Sequence, residues 1–151
     1  MIEMKVMGIA IDTASGSPII VLNDMENRKA LPIFAGLDHM RSHDRLENVA
    51  GAIEDVAKKY KLGIVRQYGG HGVGRVMHED PFVFNYRKNN PLVLEKAMTI
   101  AIEPMLNLGC DEVDVLSDEW TVVTKDKMPS AHFEHTVCVT DDGPDILTKL
   151  L

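Results

Sequence analysis

Between Ser42 and Lys61 the apolar residues Leu46, Val49, Ala50, Ile53, Val56, Ala57 and Tyr60 recur at three- and four-residue steps. That spacing gathers side chains onto one face of a helix. Ser42 is placed to cap the start, Lys58, Lys59 and Lys61 suit the negative end of the helix dipole, and Gly63 follows as a stop. A single packing helix at 42–61 needs a sheet to cover, and strand-like runs follow at 64–68, 98–103, 112–116, 120–124 and 135–140, separated by Gly, Pro, Asn and Asp turns. The fold class is therefore α+β.

Before the helix, EMKVMGIAID alternates Met4, Val6, Ile9 and Ile11, with a slip at Gly8 that predicts a bulge. SGSP at 15–18 reads as a turn. PIIVLND and NRKALPIFAG read as the arms of a hairpin around Asp24 to Asn27, with Pro32 at an edge or strand end. No internal repeat, low-complexity tract or linker marks a domain boundary.

With 45% apolar positions in 151 residues, the chain can bury a core. It has no apolar run of about 18 residues and no signal-peptide pattern at MIEMKVMGIAID, which points to a cytoplasmic protein with no membrane partner. The net charge of −7 provides no general attraction for nucleic acid. Cys110 and Cys138 are too few for a disulfide framework and lack metal-type spacing, so reduced thiols are expected.

Chemistry-bearing residues concentrate in GGHGVGRVMHEDP at 69–81. Glycines around His71 let the backbone pass close to something, and His78 follows beside Glu79 and Asp80. Neither phosphate-loop pattern is present, so His71 fits better as a ligand and His78 as a proton donor. TIAIEP places Glu103 at the end of an apolar strand, and SAHFEHTV places Glu134 inside another. Carboxylates in such settings need a pair, hydrogen bonds or a cation. His71, Glu103 and Glu134 form a metal set suited to Mn, Fe, Co or Zn, with a position left for water and hence hydrolytic chemistry. If Glu134 faces a metal, His132 shares its strand face and becomes a possible fourth ligand, whereas His135 points away.

GGHGVGRVMHEDPFVFNY, MTIAIEPMLN, WTVVTKD and SAHFEHTVCVTDDGPDILT, in that order from about Gly51 to Thr148, resemble the second half of type I methionine aminopeptidases, which have the pita-bread fold. The resemblance implies half of that fold over 41–151, an antiparallel sheet with its packing helix. It places His71, Glu103 and Glu134 on metal ligands, with Glu134 as the bridging one. It places His78 on the histidine that contacts the scissile peptide, and Trp120 on a wall of the methionine pocket, with Met77 beside it in place of an aromatic residue. Ala97 and Ala101 stand where the family tends to have Gly and Thr.

Two aspartates and a further histidine of that family belong to the first half of its fold, for which this chain has no clear counterpart. Asp12 and Asp24 are separated almost like the missing aspartates, but their flanks read as turns. Residues 1–36 instead resemble the opening of the bifunctional nuclease domain, so 1–40 is expected to be a truncated nuclease-like β segment. HDRLENVAGAI at 43–53 suits either side of such a junction.

The leading expectation is an aminopeptidase-like hydrolase with one divalent metal (Co, Mn, Fe or Zn) per chain. It would remove methionine from a peptide or nascent-protein N-terminus, with activity weakened by the missing half. A half fold would expose its interior face, which predicts a homo-oligomer. The alternatives are an inactive fusion serving as an assembly module, and a nuclease resting on Lys5, Arg28, Lys29, Arg41 and Arg45.

Overall fold

The structure, a computed structural model, describes residues 32–148 and, before them, the backbone of two strands, β1 (Val6–Ile11) and β2 (Pro18–Leu22). These two pair antiparallel, and their register shifts between Val6 and Ile9, where the alternation slips at Gly8. The turn residues 15–17, Asp12, the segment Asp24 to Asn27 and the bases Lys5, Arg28 and Lys29 lie outside the described residues.

The expected second hairpin arm is described only from Pro32 onward, and that part is not a strand. Pro32–Leu37 is a short helix, α1. Pro32 occupies its first position, where a missing N–H is harmless, and Ile33, Leu37 and Met40 fall at helical spacing and are buried.

Helix α2 (Leu46–Lys59) begins later than Ser42. Ser42 donates its backbone N–H to Thr140 instead of capping, and Arg45 at the N-cap has no side-chain cap bond. Asp44 organises this end: its carboxylate accepts from Arg45 N at 2.7 Å, Asn48 Nδ2 at 2.6 Å and His39 Nδ1 at 3.0 Å. Partial burial works to raise the Asp44 pKa, but the hydrogen bonds from Asn48, Arg45 and His39 together outweigh it and hold the group below its ordinary 3.8. A depressed native pKa stabilises the fold above the unfolded value, and that contribution is lost as pH falls through the native one. Acid unfolding of Asp44→Asn should therefore depend less on pH below 3.8 than that of the wild type, as urea midpoints measured along an acid series would show. At the far end, Tyr60 closes the helix and Lys61, at φ 57°, turns the chain, so the reversal precedes Gly63.

Two five-stranded sheets and a ribbon follow. The first has the order β1, β2, β10 (Ser130–His132), β7 (Met105–Asn107), β3 (Gly63–Ile64). The second has the order β12 (Pro144–Ile146), β11 (His135–Val139), β6 (Thr99–Ile102), β4 (Gly70–Gly72), β5 (Glu79–Val83). β8 (Val113–Val115) and β9 (Val122–Thr124) form the ribbon. Four strands occur where none was expected, namely β4, β5, β7 and β12; most are three residues long, too short for an alternating pattern to show.

The main core joins Ile33, Leu37, Met40, Leu46, Val49 and Ile53 of the helical region to Val83, Leu94, Ile100, Ile102, Val137 and Val139. Ala57, near the end of α2, meets Ile64 and Leu106 in a smaller cluster. Helix α2 thus packs on both sheets. Val115 is 53% exposed on the ribbon. Among the described residues no helix is long and apolar enough to cross a membrane.

Candidate functional site

Two of the chain's passages between the two sheets lie side by side. β6 leads into β7 through Glu103 and Pro104, while β10 leads into β11 through Phe133 and Glu134. Ile102 pairs with His135 on one side of this gap and Met105 with His132 on the other. Continuing that register sets Glu103 across from Glu134, and Pro104 across from Phe133, whose N–H reaches the Pro104 carbonyl at 3.4 Å. Glu134 accordingly lies in the break between strands and is exposed, not buried inside one. Its carboxylate carries no burial penalty; that of Glu103, 13% exposed, does.

β4 borders β6 with His71 opposite Ala101, so His71 is diagonal to Glu103 on the same face. The glycines are needed here by close backbone approach: a Cβ on Gly70 would collide with the Ala101 carbonyl, and one on Gly72 with the Asp80 carbonyl. They let β4 fit between its neighbours.

His71 Nδ1 lies 2.9 Å from the Gly72 carbonyl. A carbonyl only accepts, so Nδ1 carries the proton, and the neutral ring then presents its Nε2 lone pair elsewhere. Nε2 faces Glu103 Oε1 at 3.4 Å. A lone pair facing a carboxylate oxygen is repulsive unless a second proton or a cation stands between them. Glu103 Oε2 accepts from His132 Nε2 at 3.1 Å, so this carboxylate faces two imidazoles at once.

His78 joins the group from the β4–β5 loop, its ring centroid 4.3 Å from that of His71. Met77 stands beside it, 73% exposed. Glu79 braces this loop by accepting from Val76 N at 2.9 Å. Trp120 is 87% exposed near the end of the β8–β9 ribbon, with its backbone N–H held by Asp118.

Two polar residues escaped the sequence reading. Asn85 is fully buried and donates Nδ2 to the Glu103 carbonyl at 3.3 Å; its only signal was a lone amide in FVFNY. Glu54 is 5% exposed and has Lys58 at 3.1 Å, Arg87 at 3.8 Å and Arg66 at 3.9 Å. Its position beside Ile53 and three before Ala57 puts it on the apolar helix face, a signal that could have been read. Cys110 and Cys138 are free thiols.

Comparison with known proteins connects this site to a family, since residues 31–141 match Metallopeptidase family M24. The chain belongs to that family. Over 155 aligned residues, this M24 chain is 39% identical to methionine aminopeptidase 1 of Bacillus subtilis, covering 99% of the chain and 62% of the relative. It is 50% identical to methionine aminopeptidase 1 of Mycobacterium tuberculosis over 76% of the chain and 46% of that protein. The crystal structure of a Thermotoga maritima methionine aminopeptidase superposes with a TM-score of 0.77 at 38% identity, covering 89% of this chain and 57% of that one. The M24 chain thus spans between about half and two thirds of these relatives' length. The fold neighbours establish the mixed helix-and-sheet pita-bread architecture. The Bacillus alignment runs through the N-terminal segment as well, the region read as nuclease-like.

Whether the residues present suit the divalent metal used by M24 methionine aminopeptidases is tested by the donor chemistry. Two ligands at about 2.1 Å from one ion and at tetrahedral angles are about 3.4 Å apart. The His71–Glu103 pair has that separation, and its Nδ1 is anchored to a carbonyl, the usual support of a ligating imidazole. Glu134 faces the pair by backbone register. Among the described residues, however, no three His, Cys, Asp or Glu side chains are grouped to hold a metal ion. The donor types fit; the side chains form a hydrogen-bonded cluster around Glu103.

Proposed function

We propose that this M24 chain hydrolyses the peptide bond after an N-terminal methionine, on a peptide or nascent protein, using one divalent cation. The observation that carries this reading is His71 Nε2 set 3.4 Å from Oε1 of a largely buried Glu103, with His71 Nδ1 held by the Gly72 carbonyl. In this reading His71, Glu103 and Glu134 hold the ion, His132 adds a further nitrogen, and Trp120 and Met77 contact the methionine side chain. A divalent cation bound there polarises the scissile carbonyl and acidifies water.

The chain's own groups do the rest. His78, stacked near His71, donates to the negative charge that develops on the carbonyl oxygen. Glu103 or Glu134 accepts the proton of the attacking water and passes it to the leaving amine. Val76 and Phe82 are exposed on the β4–β5 hairpin, apolar side chains suited to contact with a second copy of the chain, so we read the protein as a homo-oligomer.

The test is release of free methionine from a short Met-Gly peptide with added Co or Mn, together with elemental analysis of the purified protein. Release that depends on the metal is expected. No release, with no metal retained, would leave the assembly-module reading, which the absence of a three-donor group among the described residues favours. His132→Ala should weaken divalent-metal affinity about tenfold; equal affinity by calorimetry would remove His132 from the ligand set.

A further inference from the structure

Asn85 follows β5 and is fully buried, 0% exposed. Only half of its amide is used: Nδ2 donates to the Glu103 carbonyl at 3.3 Å, whereas Oδ1 has no hydrogen-bond partner among the described residues. Filling this space with an amide that leaves an acceptor unpaired is unfavourable compared with an apolar side chain of similar volume. The donated hydrogen bond is what the amide adds.

Its location explains the use. Glu103 is the first residue after β6, and Pro104 after it has no N–H with which to continue a ladder. The backbone changes sheets here, and the side chain it carries has to meet His71 Nε2 with one oxygen and His132 Nε2 with the other. A rotation of the Glu103 peptide would swing both carboxylate oxygens away from these rings.

We propose that Asn85 is a positioning residue: by donating to the Glu103 carbonyl where the chain leaves β6, it sets the Glu103 carboxylate against His71 and His132. This rests on the reading of His71 and Glu103 as metal ligands only in what it implies for metal affinity. The positioning itself is a property of the metal-free chain.

The experiment has two stages on the full chain. Without metal, a long-range NMR coupling between Asn85 15Nδ2 and the Glu103 carbonyl 13C detects the hydrogen bond in the wild type. The ring 15N shifts of His71 and His132 are then compared with those of Asn85→Leu, which keeps a similar volume, adds no charge and has no donor. The coupling should be present and both ring signals should move. Absence of the coupling overturns the proposal even if the variant does not fold, and so do unchanged ring signals in a folded variant. In the second stage Co2+ is titrated by its visible absorption into the wild type, Asn85→Leu and His71→Ala. The dissociation constant of Asn85→Leu should rise by roughly tenfold or more, as for other groups that orient a ligand. Equal Co2+ binding by the wild type and His71→Ala would refute the metal reading while the metal-free spectra still decide the role of Asn85. Equal binding by the wild type and Asn85→Leu, with His71→Ala impaired, would overturn the positioning role alone.

Discussion

Glu103→Ala is expected to abolish metal-dependent release of methionine from a Met-Gly peptide, with a loss exceeding roughly 100-fold. Groups that merely orient a ligand already account for about 10–100-fold in affinity or activity, and Glu103 is the carboxylate that both His71 and His132 meet. Its two oxygens meet His71 and His132 from opposite sides, so truncation leaves two imidazoles with no anion between them. Glu103→Gln separates charge from shape: it keeps an oxygen and a similar volume but no negative charge, and should lose metal retention nearly as fully. Metal content by elemental analysis and methionine release by chromatography would be read on the same preparations. Retained metal with undiminished release in Glu103→Ala would refute the proposed site, because among the described residues no other carboxylate is paired with both rings. Circular dichroism would establish that the variant is folded, as expected for a residue at the mouth of the crossover and outside the main core.

The largest stability effect is expected at Ile53. Its side chain is 0% exposed in the middle of α2 and lies against Gly36 of α1, where a built Cβ would come within 3.0 Å of Ile53 Cδ1. Ile53→Ala removes three carbons from the point where both helices meet the second sheet. Buried truncations of this kind destabilise by about 2–5 kcal/mol, the spread depending on how far the site collapses. Against a total of about 5–15 kcal/mol that is a large share, and it corresponds to a fall in Tm of roughly 5–20 °C in a chain of this size. Urea unfolding gives the difference directly. A change under about 1 kcal/mol would mean that α1 shifts into the gap, because Gly36 leaves it room to approach.

The helix was legible because its signal is local. Val49, Ile53 and Ala57 repeat within one element, and the buried face follows from that spacing alone. Its ends were not, since Asp44 rather than Ser42 organises the start through bonds to His39 and Asn48, and Lys61 reverses the chain before the glycine. Pro32–Leu37 was misread for a related reason: a six-residue apolar run fits a strand or a helix equally, and contact with α2 decided it.

Residue chemistry was legible too. An imidazole among glycines and a carboxylate after TIAI are improbable fillers of a sheet, so His71 and Glu103 stood out before any coordinates. Strand pairing over 29 residues is a different matter: the meeting of His132 with Glu103, the burial of Asn85 behind it and the exposure of Glu134 depend on how β10 and β7 align. Periodicity reports which face of an element is apolar, because neighbours along the chain share one backbone geometry. Which two faces meet, and in what register, is settled by packing between distant segments, and that information exists only once the chain has closed on itself.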